Sequence, residues 1–143
     1  MKRIVLLSIL WLIAAFSPAQ DRLSEAEINA MEERIKTVTD PAARLFFQAN
    51  IYRAKGELER AHKTLAELIV KYDHDKRWVA RSELLSARFY LDMGMLDAAD
   101  VTARQVEFLN KGTAEAEEAR RLRLRIKQMK EQSEKSKENG VSG

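Results

Sequence analysis

Apolar residues return along this chain at spacings of three and four, the interval that keeps side chains on one face of an α-helix. Leu45, Ala49 and Tyr52 follow it, and beyond Gly56 so do Leu58, Ala61, Leu65 and Leu68. Glycine adopts the left-handed backbone that closes a helix without a Cβ penalty. The stretch 43–68 therefore predicts a helical hairpin with one apolar face on each arm, and such a hairpin alone cannot bury both faces. A second copy of the pattern supplies a neighbour. With Gly94 laid over Gly56, 38 residues on, Ala87 falls on Ala49, Tyr90 on Tyr52, Leu96 on Leu58, Ala99 on Ala61 and Val106 on Leu68. The alanines let helix backbones approach closely, and the tyrosines fill the wider gaps.

The same reading extends to both flanks. Ser24 followed by Glu27 is a capping box, and Ile28, Met31, Ile35 and Val38 form a stripe, which predicts a capping helix over 24–38. Asp40-Pro41 closes that helix and opens the next. Asn110-Lys111-Gly112-Thr113 separates the second hairpin from a last helix over 114–131, with Ala119, Leu122, Ile126 and Met129 facing the stack. From Gln132 to Gly143 Val141 is the sole large apolar residue, so 132–143 reads as a disordered tail. At the other end Lys2 and Arg3 precede an apolar run, Ile4 to Phe16, and then Ser17-Pro18-Ala19. This is the layout of a secretory signal peptide cut near residue 19, and the run is short for a membrane span of about 20 residues; an uncleaved anchor is the alternative. The expected organisation is a signal segment at 1–19, then a helical domain at 20–131 with repeats at about 42–75 and 80–113, then the tail.

Composition narrows the class. Five glycines and two prolines in 143 residues leave little material for turns between strands, so the fold class is all-α, a stack of about six helices. With no cysteine there is neither a disulfide nor a thiolate metal site, nor a lipid-modified cysteine. The formal charge of +3 falls to about +1 once the two basic residues of the signal segment are removed, so the chain is not a strongly basic protein. Charge is uneven along it: 20–110 carries 14 basic and 16 acidic residues, 111–143 carries nine and six.

Candidate chemistry is sparse. His62 and His74 have no partner at helical metal spacing, and Asp73-His74-Asp75 reads as a solvated loop and helix cap, so no metal or cofactor is expected. Ser82, Ser86 and Thr102 lie within helical patterns without a glycine-rich elbow. Gly56 and Gly94 stand singly and form no phosphate-cradling loop. Neither catalysis nor a small-molecule substrate is expected. The cluster Arg120, Arg121, Arg123 and Arg125 could touch an anionic membrane surface; the alternative is a solvated capping helix whose arginines pair with Glu117, Glu118 and Glu131. Export makes nucleic acid an unsuitable partner.

The motif small–x–x–aromatic–x–x–x–Gly–x–hydrophobic–x–x–Ala resembles the tetratricopeptide repeat, whose usual period is about 34 residues. The four extra residues fit the loop around Asp73–Lys76, and Val70-Lys71-Tyr72 closes the repeat in a manner similar to lengthened repeats of bacterial envelope proteins, the outer-membrane assembly lipoproteins and the cell-division coordinators. Two departures stand out. Asp73 occupies the place of the usual closing proline, and Glu83 a commonly apolar position. The resemblance covers about 42–110. It implies a periplasmic or envelope adaptor whose partner, another envelope protein or a peptide segment, lies in a concave groove lined by the first helix of each hairpin. The matching positions are Phe46, Asn50 and Arg53 in the first hairpin and Arg81, Leu84, Arg88 and Leu91 in the second. Asn50 resembles the asparagine that holds a peptide backbone in clamping members, whereas Phe46 stands where those members carry lysine. The competing expectation is a membrane-surface factor held by the basic last helix.

Overall fold

The computed structural model describes residues 23–140; the expected signal segment, 1–19, lies outside them. The described residues form six helices and no strand: α1 Glu25–Ile35, α2 Pro41–Ala54, α3 Leu58–Lys71, α4 Lys76–Asp92, α5 Leu96–Leu109 and α6 Ala114–Gly140. The chain is an all-α helical stack, and its joints follow from local chemistry. The Glu27 amide donates to Ser24 Oγ at 3.3 Å while Glu27 Oε2 accepts from the Ser24 amide at 2.7 Å, which completes the capping box of α1. Asp40 Oδ1 accepts from the Ala42 amide at 3.0 Å, with Pro41 in the first turn of α2. Asp75, in the loop after α3, accepts from the Arg77 and Trp78 amides and so caps α4.

The 38-residue register holds down to single hydrogen bonds. Gly56 and Gly94 have φ of 77° and 74°. Behind each, the next residue's amide returns to a tyrosine carbonyl at 2.8 Å, Glu57 to Tyr52 and Met95 to Tyr90. These are two copies of one helix-ending motif. The register also governs the links between hairpins. The Tyr72 amide bonds the Leu68 carbonyl, and the Asn110 amide bonds the Val106 carbonyl. The caps that follow are Asp75 and Thr113, whose Oγ1 accepts from the Ala116 amide at 3.2 Å. The last helix thus begins where the first helix of a third hairpin would.

Its far end departs from expectation. α6 continues through Gly140, so of the stretch 132–143, read from composition as a disordered tail, 132–140 is helical and 141–143 lies outside the described residues. Residues 131–139 are all exposed, and α6 overhangs the stack beyond Lys130, which still reaches Asp97 at the start of α5 at 2.6 Å. Lys and Glu are good helix formers, and a helix already seeded by packing needs no new nucleus to propagate into them.

Burial follows the stripes. Ala49, Ala61, Ala87 and Ala99 are fully buried, together with Leu65, Leu68, Phe89, Ala103 and Val106. One cluster joins α2, α3 and α4 through Ala49, Ala61, Leu65, Leu85 and Phe89. Another joins α4, α5 and α6 through Leu84, Ala87, Ala99, Val106, Ala119, Leu122 and Ile126. α1 has no buried residue and packs on α2 alone, through its half-buried stripe.

The stack is curved. α2 approaches α4 and α4 approaches α6 within 8 Å between Cα atoms, whereas no such approach joins α3 to α5. First helices therefore crowd along one side while second helices splay on the other, which makes the surface of α2, α4 and α6 the inner one.

Candidate partner-binding groove

Ion pairs from helix to helix decide the character of this inner surface. Arg53, in the last turn of α2, donates to Asp92 at the end of α4 through Nε at 2.5 Å and Nη2 at 3.0 Å. Arg81 on α4 donates through Nε to Glu115 on α6 at 2.9 Å. Arg88, two turns further along α4, pairs with Glu118 on α6. The three arginines proposed from sequence are thus brought to one side of the molecule, and each meets a carboxylate from the neighbouring first helix. Glu115 shows the coupling. Its hydrogen bond from Arg81 outweighs partial desolvation and holds its carboxyl below the usual carboxylate range. The expected surplus of positive charge is therefore a row of matched pairs.

The other groove positions divide. Asn50 lies on α2 between the faces that meet α1 and α4, and its side-chain amide donates to the Phe46 carbonyl of its own helix at 2.9 Å. That bond ties up one of its two amide hydrogens and leaves the oxygen available. Phe46 is half-buried and turns toward α4, its ring centroid 5.7 Å from that of Trp78. Leu84 departs from the expected groove lining. Leu84 is buried in the cluster with Ala99, Val106 and Leu122, and Leu91 packs against the same cluster. Leu84 fills the wedge between α4, α5 and α6 and is too deep to line a groove, whereas Leu91 stays partly exposed at its edge. On α4, which has neighbours on both sides, spacing alone does not separate a groove face from a second core face.

Two aromatic residues escaped the sequence reading. By helical spacing Phe47 shares the inner face of α2 with Ala43, Asn50 and Ala54, and it is 41% exposed. Its ring meets Phe46 edge-on at 6.1 Å. Trp78 is buried beneath Ala42 and Leu68, and the guanidinium groups of Arg77 and Arg81 lie 5.5 and 5.2 Å from its ring centroid. The doublet Phe46-Phe47 was the available signal, since adjacent helical residues point 100° apart and both cannot enter one core. The inner face thus carries one exposed aromatic ring, Phe47 on α2, beside the ion pairs that link α2 to α4 and α4 to α6.

The basic last helix is largely engaged as well. Arg123 donates to Asp100 at 3.0 Å and to Glu107 at 2.7 Å, Arg120 reaches Glu107 at 3.4 Å and Glu117 at 3.5 Å, and Arg121 is exposed. Glu118 crosses to Arg88 on α4. Of the serines weighed as nucleophiles, Ser82 is fully buried, and its hydroxyl has no hydrogen-bond partner among the described residues. Among those residues no cluster of three His, Asp or Glu side chains is placed to hold a metal ion, and no helix is long and apolar enough to cross a membrane. Comparison of the chain with protein-family models, with curated proteins and with solved structures finds no match.

Proposed function

We propose that this chain is an exported adaptor of the bacterial cell envelope, a non-catalytic module that holds another protein against the inner face of α2, α4 and α6. One observation carries the reading. Two hairpins and the helix after them repeat one register of 38 residues and set three successive first helices side by side on the inner side. That arrangement is similar to the groove of tetratricopeptide proteins, in which recognition uses side chains of the first helices. The partner is an envelope protein or a peptide segment of it. Because Arg53, Arg81 and Arg88 already hold carboxylates, it carries both charge signs and an apolar group for Phe47 rather than a run of acids.

A photo-reactive residue placed at Asn50 tests this in the native host, with the same residue at Val101, exposed on the outer side of α5, as reference. The expected result is one defined crosslinked species from position 50, absent from position 101 and lost on Phe47→Ala. A species formed equally from both positions, or from position 101 alone, overturns the inner-face assignment. Mass spectrometry of the chain recovered from the envelope tests export, with an amino terminus near residue 20 expected. Recovery of intact 1–16 in cytosolic chain overturns it.

A further inference from the structure

We propose that an open crevice between the end of α5 and the start of α6, on the side away from the inner face, binds a phosphate group. The crevice encloses about 350 Å³ and is lined by the cations Arg104, Lys111, Arg120 and Arg123, with the acids Glu107 and Glu117 and the ring of Phe108 among them. These cations are not equally occupied. Arg123 is committed, one arm to Asp100 and another to Glu107. Arg104 spends a single Nη2 bond on Asp100, and its side chain is 60% exposed. Arg120, 59% exposed, reaches its two carboxylates only at 3.4 and 3.5 Å. Lys111 meets no carboxylate among the described residues; its ammonium group lies 4.8 Å from the centroid of the Phe108 ring. Phe108 is itself 67% exposed, a large aromatic side chain left outside the core.

Three cations with spare donors thus surround one opening. A carboxylate ligand would offer them nothing that Glu107 and Glu117 do not already supply. A phosphate differs in carrying up to two charges and three acceptor oxygens, enough to take a bond from Arg104, Lys111 and Arg120 together. The positive end of the α6 dipole adds to the attraction, and the part of the exposed Phe108 ring that Lys111 does not cover receives the organic part of a phosphate ester. The chemistry is shared by the headgroup of an anionic phospholipid and by a soluble phosphomonoester. It differs from a general attraction of the basic helix to a membrane, because it draws on Arg104 and Lys111 from outside α6 and leaves out Arg121.

The test uses the folded chain with three probes: inorganic phosphate, glycerol 3-phosphate, and vesicles of phosphatidylglycerol with phosphatidylcholine vesicles as reference. Amide NMR at constant ionic strength is expected to show saturable shifts confined to 104–120 with the soluble phosphates, which chloride does not reproduce. Arg104→Gln with Lys111→Gln should weaken binding at least about tenfold, as loss of two charge-assisted bonds implies, while Arg121→Gln leaves it unchanged. Vesicle binding that follows the same order, without shifts from soluble phosphate, assigns the group to lipid and upholds the site. Lys111→Gln alone, whose side chain touches Phe108, repeats the test should the double variant lose its thermal transition. The proposal is overturned if no probe binds, if chloride gives the same shifts, if the double variant binds like the wild type, or if Arg121→Gln costs as much as the double change.

Discussion

Arg53 and Asp92 close the inner face at its far end, with two hydrogen bonds between one guanidinium and one carboxylate 39 positions apart in sequence. The pair links the last turns of α2 and α4, helices whose apolar faces turn mainly toward other neighbours. A two-pronged geometry with both side chains more than half covered is the case in which an ion pair contributes measurably, whereas fully exposed pairs contribute little. A double-mutant cycle with Arg53→Ala and Asp92→Ala is expected to give a coupling of about 0.5–1 kcal/mol in urea melts. Coupling indistinguishable from zero means that the pair does not persist in solution.

Tight crossings at Ala61 and Ala99 give a second expectation. Both are fully buried and occupy equivalent places in the two hairpins. Leucine at either position must displace packed neighbours, at a cost of about 1–3 kcal/mol. Ala66→Leu, on the exposed side of α3, should leave the thermal midpoint nearly unchanged. Equal shifts for all three variants would show that neither alanine sits at a tight crossing.

Acid should loosen the α5–α6 seam. The hydrogen bond from Arg123 outweighs desolvation at Glu107, and the bonds from Arg104 and Arg123 together outweigh the larger desolvation at Asp100, so both carboxyls lie below their ordinary range. A carboxyl depressed in the folded state contributes stability that is complete above its unfolded value, about 4, and is lost as pH falls through the folded value. Unfolding free energy should therefore decline below about pH 4, and Arg123→Gln should flatten that decline while lowering stability at neutral pH. An unchanged acid slope in the variant would remove Arg123 from the seam.

Two features of α4 should work against stability. Ser82 Oγ is buried without a partner, and Ser82→Ala is expected to stabilise by about 1 kcal/mol, since removing an unpaired buried hydroxyl relieves its desolvation. Glu83 is raised above the ordinary carboxylate range by burial, with a single contact from Gln105 Nε2 at 3.3 Å. The sign is opposite to that of the seam. A raised carboxyl binds its proton more tightly when folded, so stability is lost as pH rises from the unfolded value through the folded one. Glu83→Gln should raise the thermal midpoint at pH 7 and have little effect at pH 3; a lower midpoint at pH 7 would show that the charge is needed.

The overhang of α6 should be dispensable to the stack. Residues 131–139 bury nothing, so a chain ending at Glu131 should keep its urea midpoint while losing helical circular dichroism in proportion to the deleted turns. A fall in midpoint would reveal a contact along the overhang.

Helix positions, the glycine turns and the caps were legible in the sequence because each rests on local chemistry. Spacings of three and four settle which residues share a face, Gly56 and Gly94 need the left-handed backbone, and Ser24, Asp40 and Thr113 cap the residues that follow them. Neighbours distant in sequence settled the rest. Leu84 looked like a groove position because the repeat resemblance does not say that α4 has core on two sides. Arg53, Arg81 and Arg88 looked like surplus charge because Asp92, Glu115 and Glu118 come close only when α2, α4 and α6 lie side by side. The end of α6 escaped a reading of composition because a helix once nucleated by packing extends into polar residues that would not start one alone. Periodicity determined the elements and their register, while the pairing of charges and the depth of burial, which depend on what lies across a helix interface, were decided by the tertiary structure.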